Sequence, residues 1–349
     1  MKYHLLGNSG LRVSELCLGT MTFGEDWGWG GSAKESAKML DAFGKAGGNF
    51  IDTANMYTNG SSEKIIGDLI HEERDKWVLA TKYSLAVGDH VNSFGNHRKS
   101  MVSAVEASLK RLKTDYIDLY WLHAWDFTTP VDEVMRAFDD LVRSGKILYA
   151  GISDAPAWII SQANTIAQLR GWTPFVGLQI EYSLVERTPE RDLLPMAKAL
   201  GLGVTPWSPL GGGVLSGKYN DKSHDKDSRL ARPDNPMPYV NDRNLKIAGE
   251  VVAVAKEIGK KPSQVALRWL LQRSVPCFPI IGGKKLEQIQ DNVHCTEFTL
   301  DKKQMDRLDK VSHIDLGFPH DFLVSPVVRD MAMGGWMSKI ENPNDPVRS

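Results

Sequence analysis

The strongest constraint on this chain is a repeating pattern: eight short apolar runs alternate with longer stretches of helical period. The runs are Glu15–Thr20, Asn49–Asp52, Val78–Lys82, Ile117–Leu122, Leu148–Ser153, Val176–Ile180, Val204–Trp207 and Cys277–Ile281. Most are rich in Val, Ile, Leu and aromatics and are too short for helices, so they are predicted strands. The stretches between them carry helix signals. Ser32-x-x-Glu35 reads as a capping box. Thr129-Pro130 and Thr188-Pro189 read as an N-cap followed by proline at the first helical position. Pro262 opens a helix running through Val265, Leu267, Trp269 and Leu271, and Gly47-Gly48 and Gly201-Leu202-Gly203 read as helix stops just before a strand.

Helices between successive strands impose parallel pairing. Two closures satisfy that order, a barrel and an open doubly wound sheet. Eight units within about 250 residues of βα repeat favour the barrel. The predicted fold is α/β: a single (β/α)8 TIM barrel over residues 11–292, with C-terminal helices and a tail over 293–349, all in one domain spanning 1–349. Tyr83–His97 and Gly211–Asn241 read as long loops after the third and seventh strands, and the tail from His313 as an extension. In a barrel, loops after strands rim the C-terminal face, where active sites are built.

Composition narrows the function. Lys and Arg total 42 against 43 Asp and Glu, a net charge of -1. That balance offers no basic excess for nucleic acid. No run approaches the roughly 18–20 apolar residues of a membrane span. Cys17, Cys277 and Cys295 are sparse and odd in number, and the N-terminal stretch shows no secretory pattern. A cytoplasmic protein is expected.

Four polar residues fall at or just beyond three successive strand ends: Asp52, Tyr57, Lys82 and His123. Each alone reads equally as an ion pair, a loop anchor or a core histidine. Together they suit carbonyl reduction, which needs a proton donor at oxygen as hydride reaches carbon. A free tyrosine, with a pKa of about 10, is a poor acid at neutral pH. A nearby ammonium stabilises tyrosinate, so Lys82 is expected to lower the pKa of Tyr57, with Asp52 holding Lys82 charged and aimed. His123 would orient the substrate oxygen.

Gly48–Tyr57 (GNFIDTANMY), LATKY around Lys82 and DLYWLHAW around His123 resemble the catalytic segments of the aldo-keto reductases. The resemblance continues in order through LRVSELCLGTMTFG, GISD, LQIEYSLVER, WSPLGGGVLSGKY and IIGGKKLEQIQDN, from about Leu11 to Asn292. It implies a TIM-barrel oxidoreductase that passes hydride between NADPH and an aldehyde or ketone, reversibly an alcohol dehydrogenase, with Asp52, Tyr57, Lys82 and His123 as its tetrad. The family also contains channel auxiliary subunits, so an NADPH-binding redox sensor with little turnover is the second reading. A metal-dependent hydrolase fits poorly, because the nine histidines form no H-x-H or H-x-x-x-H pair.

In this family the cofactor lies extended across the barrel top. Carried over, Ser153, Asp154 and Gln179 would hold the carboxamide, and Trp207 would stack on the nicotinamide ring. Ser208, Leu210, Gly212 and Lys218 would line the pyrophosphate beneath a belt-like loop, with Gly19, Thr20 and Met21 near the ribose. Gly283 and Lys284 precede a helix, a natural phosphate site, where Lys284 would meet the 2′-phosphate that distinguishes NADP from NAD. Gln288 and Asn292, one turn apart, would reach adenine. Asp154 departs from the Asn common in the family, because an ionised carboxylate only accepts hydrogen bonds; its other expected role is to cap a helix beginning near Pro156. Trp27, Trp29, Met56, Trp125, Phe318, Phe322 and Trp336 are expected around the mouth of an aromatic-lined substrate pocket.

Overall fold

The computed structural model describes residues 1–220 and 239–341. Most of the expected belt after Tyr219 and the last residues of the tail lie outside the described residues. Ten strands and twelve α-helices are described. A hairpin, β1 (Tyr3–Leu5) and β2 (Arg12–Ser14), precedes the barrel. The barrel strands are β3 (Cys17–Gly19), β4 (Phe50–Asp52), β5 (Val78–Tyr83), β6 (Ile117–Leu122), β7 (Ile147–Ser153), β8 (Phe175–Glu181), β9 (Gly203–Trp207) and β10 (Ile280–Ile281). Between them run α1 (Ala33–Lys45), α2 (Ser61–Ile70), α3 (Arg98–Leu112), α4 (Val131–Arg143), α5 (Ala157–Arg170), α6 (Leu193–Leu200), α7 (Asp242–Ile258) and α8 (Pro262–Leu271). Then follow α9 (Leu286–Val293), α10 (Lys302–Val311), α11 (His320–Val324) and α12 (Pro326–Met333).

The eight strands pair in parallel in the order β10-β3-β4-β5-β6-β7-β8-β9. A bridge between Val204 and Cys277, with Phe278 N–H donating to Val204 O at 2.7 Å, draws the two edges together. The expected (β/α)8 barrel is therefore present. Its last strand is shorter than predicted, because most of the apolar run from Cys277 meets β9 only through that bridge.

Trp121 fills the barrel interior and is fully buried. Its neighbours on β7 and β8 are glycines for a steric reason: a Cβ at Gly151 would lie 2.3 Å from Trp121 Cε3, and one at Gly177 would lie 2.7 Å from Cη2. Below the indole, Phe50, Val78, Leu119, Val176 and Phe278 pack with Leu6 and Val13. The β1–β2 hairpin thus plugs the N-terminal end and leaves the C-terminal end for chemistry. Among the described residues, no helix is long and apolar enough to cross a membrane.

Several local signals act differently from expectation. Pro130 is the N-cap of α4, not its first residue, because Asp126 recruits Thr129 through both its N–H (3.0 Å) and its hydroxyl (2.9 Å). Thr188-Pro189 starts only a 3-10 turn, and α6 begins at Leu193. Ser32 caps α1 by accepting from Glu35 N–H at 3.3 Å, but the Glu35 carboxylate turns to Lys38 at 2.8 Å, so the box is half made. Pro262 opens α8 as expected, and Gly201, at φ 66, stops α6.

Candidate active site

Asp52 is the last residue of β4, Lys82 lies one residue from the end of β5, and His123 directly follows β6. Parallel register brings these ends to one face: Gly19 pairs with Asp52, and Lys82 with Trp121. Tyr57 is held over them by a tight turn in which Thr58, Asn59 and Gly60 have φ of 45, 54 and 89. Thr58 secures the turn by donating its hydroxyl to Phe23 O at 2.6 Å and accepting from Ser62 N–H at 3.0 Å.

Lys82 is fully buried, and its ammonium has three partners: Asp52 Oδ2 at 2.5 Å, Thr53 O at 2.8 Å and Tyr57 Oη at 3.0 Å. A buried ammonium is tolerated because each N–H is satisfied and a carboxylate balances its charge. The other Asp52 oxygen accepts from Gln179 Nε2 at 2.9 Å. The backbone of Asp52 is also fixed, since Thr20 donates both its N–H and its hydroxyl to Asp52 O at 3.0 Å. The His123 ring stands edge-on to Tyr57 at 6.0 Å and 82°, and its buried Nδ1 has no partner.

Burial works against the charge on Lys82, but the Asp52 carboxylate and the bonds to Asp52 and Tyr57 prevail and push its pKa up to about 12. Burial and the Lys82 charge hold His123 well below the ordinary histidine value, so its imidazole is neutral at neutral pH. Tyr57 departs from expectation. Burial raises its phenol, and the Lys82 charge offsets this only in part, so the pKa lies above the usual value rather than below it. The group is therefore a held proton beside a permanent cation, positioned to release that proton only to a strongly basic acceptor such as an oxygen gaining negative charge.

Of the residues expected along a nicotinamide cofactor, Gly19, Ser153, Gln179 and Trp207 lie on barrel strands, and Asp154 and Ser208 directly follow them. Ser153 and Gln179 are register partners on β7 and β8, and the buried Ser153 Oγ has no partner. Asp154 does not cap α5, whose N-cap is Pro156 without a side-chain bond; instead its Oδ1 accepts from Trp207 Nε1 at 3.1 Å. Burial raises its carboxyl pKa against the lowering effect of that bond. Beyond Trp207, Ser208 has φ 48 and Gly211, Gly212 and Gly213 have φ 54, 61 and 98 after Leu210. Such left-handed turns can present backbone N–H groups to an anion. A Cβ on Gly213 would sit 3.3 Å from Lys218 Nζ, so the lysine lies over this turn.

At the start of α9, Lys284 is exposed, and Gln288 Oε1 accepts from the N–H groups of Lys284 (2.7 Å) and Lys285 (3.1 Å). The Gln288 oxygen is thus occupied in shaping the helix start, and Asn292 is buried one turn on. Met21 is partly exposed, whereas the Thr20 hydroxyl points inward to Asp52 and Ser62. Sequence reasoning missed Thr22, which ties this region to the first barrel loop by donating to Gly283 O at 2.8 Å. It also missed Ser62, which bridges the hydroxyls of Thr20 (2.9 Å) and Thr53 (2.8 Å). Small hydroxyl residues, one in the loop after β3 and one in the first turn of α2, were the available signal.

The loop carrying Trp27 and Trp29 is pinched at its neck, where Gly24 N–H donates to Gly31 O at 2.9 Å and Gly31 N–H to Thr22 O at 2.7 Å. Trp27 stands edge-on to Tyr57 at 6.4 Å and lies 5.6 Å from Trp29, whose ring is 5.8 Å from Lys284 Nζ. Met56 and Trp125 are partly exposed nearby in sequence, and Trp125 N–H donates to Asp154 O at 3.2 Å. Phe318, Phe322 and Trp336 are exposed: Phe318 and Phe322 lie 5.9 Å apart at the surface, and Trp336 lies under Lys339. The short C-terminal helices bury too little to draw these rings inward.

Comparison with known proteins agrees with this arrangement. Residues 15–313 match the model of the aldo/keto reductase family. The chain is 39% identical to a norsolorinic acid reductase of Aspergillus flavus over 334 residues, covering 92% of this chain and 84% of that protein. It is 40% identical to norsolorinic acid reductase B of Dothistroma septosporum, covering 93% of this chain and 84% of that protein. It is 38% identical to an aryl-alcohol dehydrogenase [NADP(+)] of Phanerodontia chrysosporium, covering 89% of this chain and 86% of that protein. With its parallel barrel and the Asp52–Lys82–Tyr57–His123 cluster at the C-terminal face, the chain belongs to the aldo/keto reductase family of oxidoreductases.

Proposed function

We propose that this protein is an NADPH-dependent reductase of aromatic aldehydes or ketones, working reversibly as an aryl-alcohol dehydrogenase. The observation that carries the reading is the buried Lys82 ammonium, which touches Asp52 on one side and Tyr57 Oη at 3.0 Å on the other, beside a neutral His123. Tyr57 gives its proton to the carbonyl oxygen, Lys82 stabilises the resulting phenolate, and Asp52 keeps Lys82 charged and aimed. His123, being neutral, donates one N–H to the same oxygen without adding charge.

The nicotinamide, when bound, supplies the hydride. Ser153, Asp154 and Gln179 would hold its carboxamide, and the unpartnered Ser153 hydroxyl fits such a role. Trp207 offers an aromatic face to the ring. Gly19, Thr20 and Met21 would border the ribose through the backbone of Thr20, whose hydroxyl is bonded inward, and the turn from Ser208 through Leu210 and Gly212, with Lys218 above it, suits the pyrophosphate. Gly283 and Lys284 at the start of α9 suit the 2′-phosphate, with Gln288 and Asn292 toward adenine. The paired rings of Trp27 and Trp29 beside Tyr57, with Met56 and Trp125 as further expected lining, would favour flat aromatic substrates, in line with the names of the relatives. Three buried free thiols fit work in the cytoplasm.

Tyr57→Phe removes the donated proton and keeps the ring. It should lower kcat for benzaldehyde reduction by 100-fold or more, while NADPH affinity, read by tryptophan quenching, stays within about threefold. Retention of full turnover would reject Tyr57 as the donor.

A further inference from the structure

Two carboxylates on this face have no part in the proton transfer. Asp154 follows β7 and accepts from Trp207 Nε1 at 3.1 Å. Glu181 ends β8, is the register partner of Trp207 on β9, and accepts from Tyr239 Oη at 2.5 Å. Both are met by neutral donors, and among the described residues neither forms an ion pair with a lysine or arginine. Burial raises both carboxyl groups, and the charge of Asp154 contributes to raising Glu181. Lys82, whose charge acts on Asp154, is already bonded to Asp52. Among the described residues this corner holds no cation paired to either carboxylate, and next to it lies Ser153, 1% exposed, with a hydroxyl that has no partner.

We infer that Asp154, backed by Glu181, makes bound NADPH a stronger hydride donor by stabilising the positive charge that the nicotinamide ring acquires on oxidation. The inference rests on the cofactor reading above. In reduction, a hydride with its two electrons passes to the carbonyl carbon, the carbonyl π pair moves to oxygen, and that oxygen takes the Tyr57 proton. The ring is left one charge more positive. A carboxylate beside it interacts with the oxidised ring and hardly at all with the neutral reduced ring, and in a partly buried setting the difference is on the order of tenfold in binding. The face of Trp207 acts in the same direction, because aromatic faces attract cations. The hydrogen bond from its indole N–H holds the Asp154 carboxylate at the edge of that ring. The Lys82 charge opposes the effect but is balanced by Asp52, and His123 is neutral.

The test is the ratio of the dissociation constants of NADPH and NADP+, titrated by tryptophan quenching at pH 8 with the wild type, Asp154→Asn and Glu181→Gln. Asparagine keeps the oxygen that accepts from Trp207 and tolerates the left-handed backbone, φ 43, at this position, so charge is removed with little change of shape. In Asp154→Asn, NADP+ should bind about tenfold more weakly with NADPH nearly unchanged; Glu181→Gln should shift the ratio less, in the same direction. A ratio within threefold of wild type in Asp154→Asn, or equal weakening of both forms, overturns the inference and leaves the cofactor site standing. If Asp154→Asn does not fold, Glu181→Gln decides, with a twofold shift as its threshold. Failure of the wild type to bind either form removes the cofactor reading and this inference with it.

Discussion

At the scale of single residues, Lys82 links stability and chemistry. Its folded pKa, raised to about 12 from an ordinary 10.5, means that its ionic partnership is fully present below the ordinary value and is lost only as pH rises through about 12. At neutral pH, removing one partner therefore leaves the other charge buried and alone. Lys82→Met and Asp52→Asn should each cost about 3 kcal/mol or more in urea melts, whereas the double variant should recover most of that loss and still have no measurable turnover. Additive losses in the double variant would show that the two groups are not energetically coupled. His123 titrates well below its ordinary 6.5, so kcat/KM for carbonyl reduction should stay flat through that pH; an inflection there would show a protonatable imidazole. The identities of these residues are legible in the sequence because charge and aromatic hydroxyl fall at strand ends. The direction of the Tyr57 shift is not, since it depends on how much packing surrounds the phenol, and part of that comes from a loop more than 25 residues away, through Trp27.

At the scale of elements, all eight barrel strands are legible as apolar runs, and their order follows from the helices between them. The β1–β2 hairpin is not. Its strands are three residues each, too short for a period to register, and β1 is exposed along its whole length. The helix starts went wrong where a side chain upstream competes for the cap, as Asp126 does for Thr129. The glycines of β7 and β8 each make room for Trp121. Gly151→Ala would force a methyl group to within 2.3 Å of the indole and Gly177→Ala to within 2.7 Å, against atoms with nowhere to move. Each should destabilise the fold by about 2–3 kcal/mol or more in urea melts, and Trp121→Leu placed behind Gly151→Ala should restore part of that. A neutral Gly151→Ala would mean that the interior is looser than close packing allows.

At the scale of the whole molecule, the barrel has its sparsest backbone pairing between its seventh and eighth strands. β10 has only two residues, and closure onto β9 rests on the bridge at Cys277. Behind that seam, three side chains converge on one carboxylate. Glu190 accepts from Tyr182 Oη at 2.6 Å, from Arg187 at 2.9 and 2.8 Å, and from Arg273 at 3.4 Å. The two guanidinium groups lie over Trp269 at 5.2 and 4.6 Å, and the indole N–H donates to Asp309 of α10 at 3.0 Å. The cluster joins the end of β8 and the turn that follows it to Arg273, just beyond α8 and 83 residues from Glu190, and to α10, so no local pattern announces it. Burial would raise Glu190, but its bonds and charges from Arg187, with Tyr182 and Arg273, hold it below the ordinary 4.5. A depressed carboxylate contributes stability that is present above its ordinary pKa and is lost as pH falls through the lower folded value. Glu190→Gln should therefore cost about 2 kcal/mol at pH 7, and the gap from wild type should close as pH falls below about 4.5. Chemical denaturation of both proteins from pH 7 to pH 3.5 measures this. A gap that stays constant would mean that Glu190 contributes by shape alone, and that the arginines on either side of Trp269 do not need its charge to hold the seam shut.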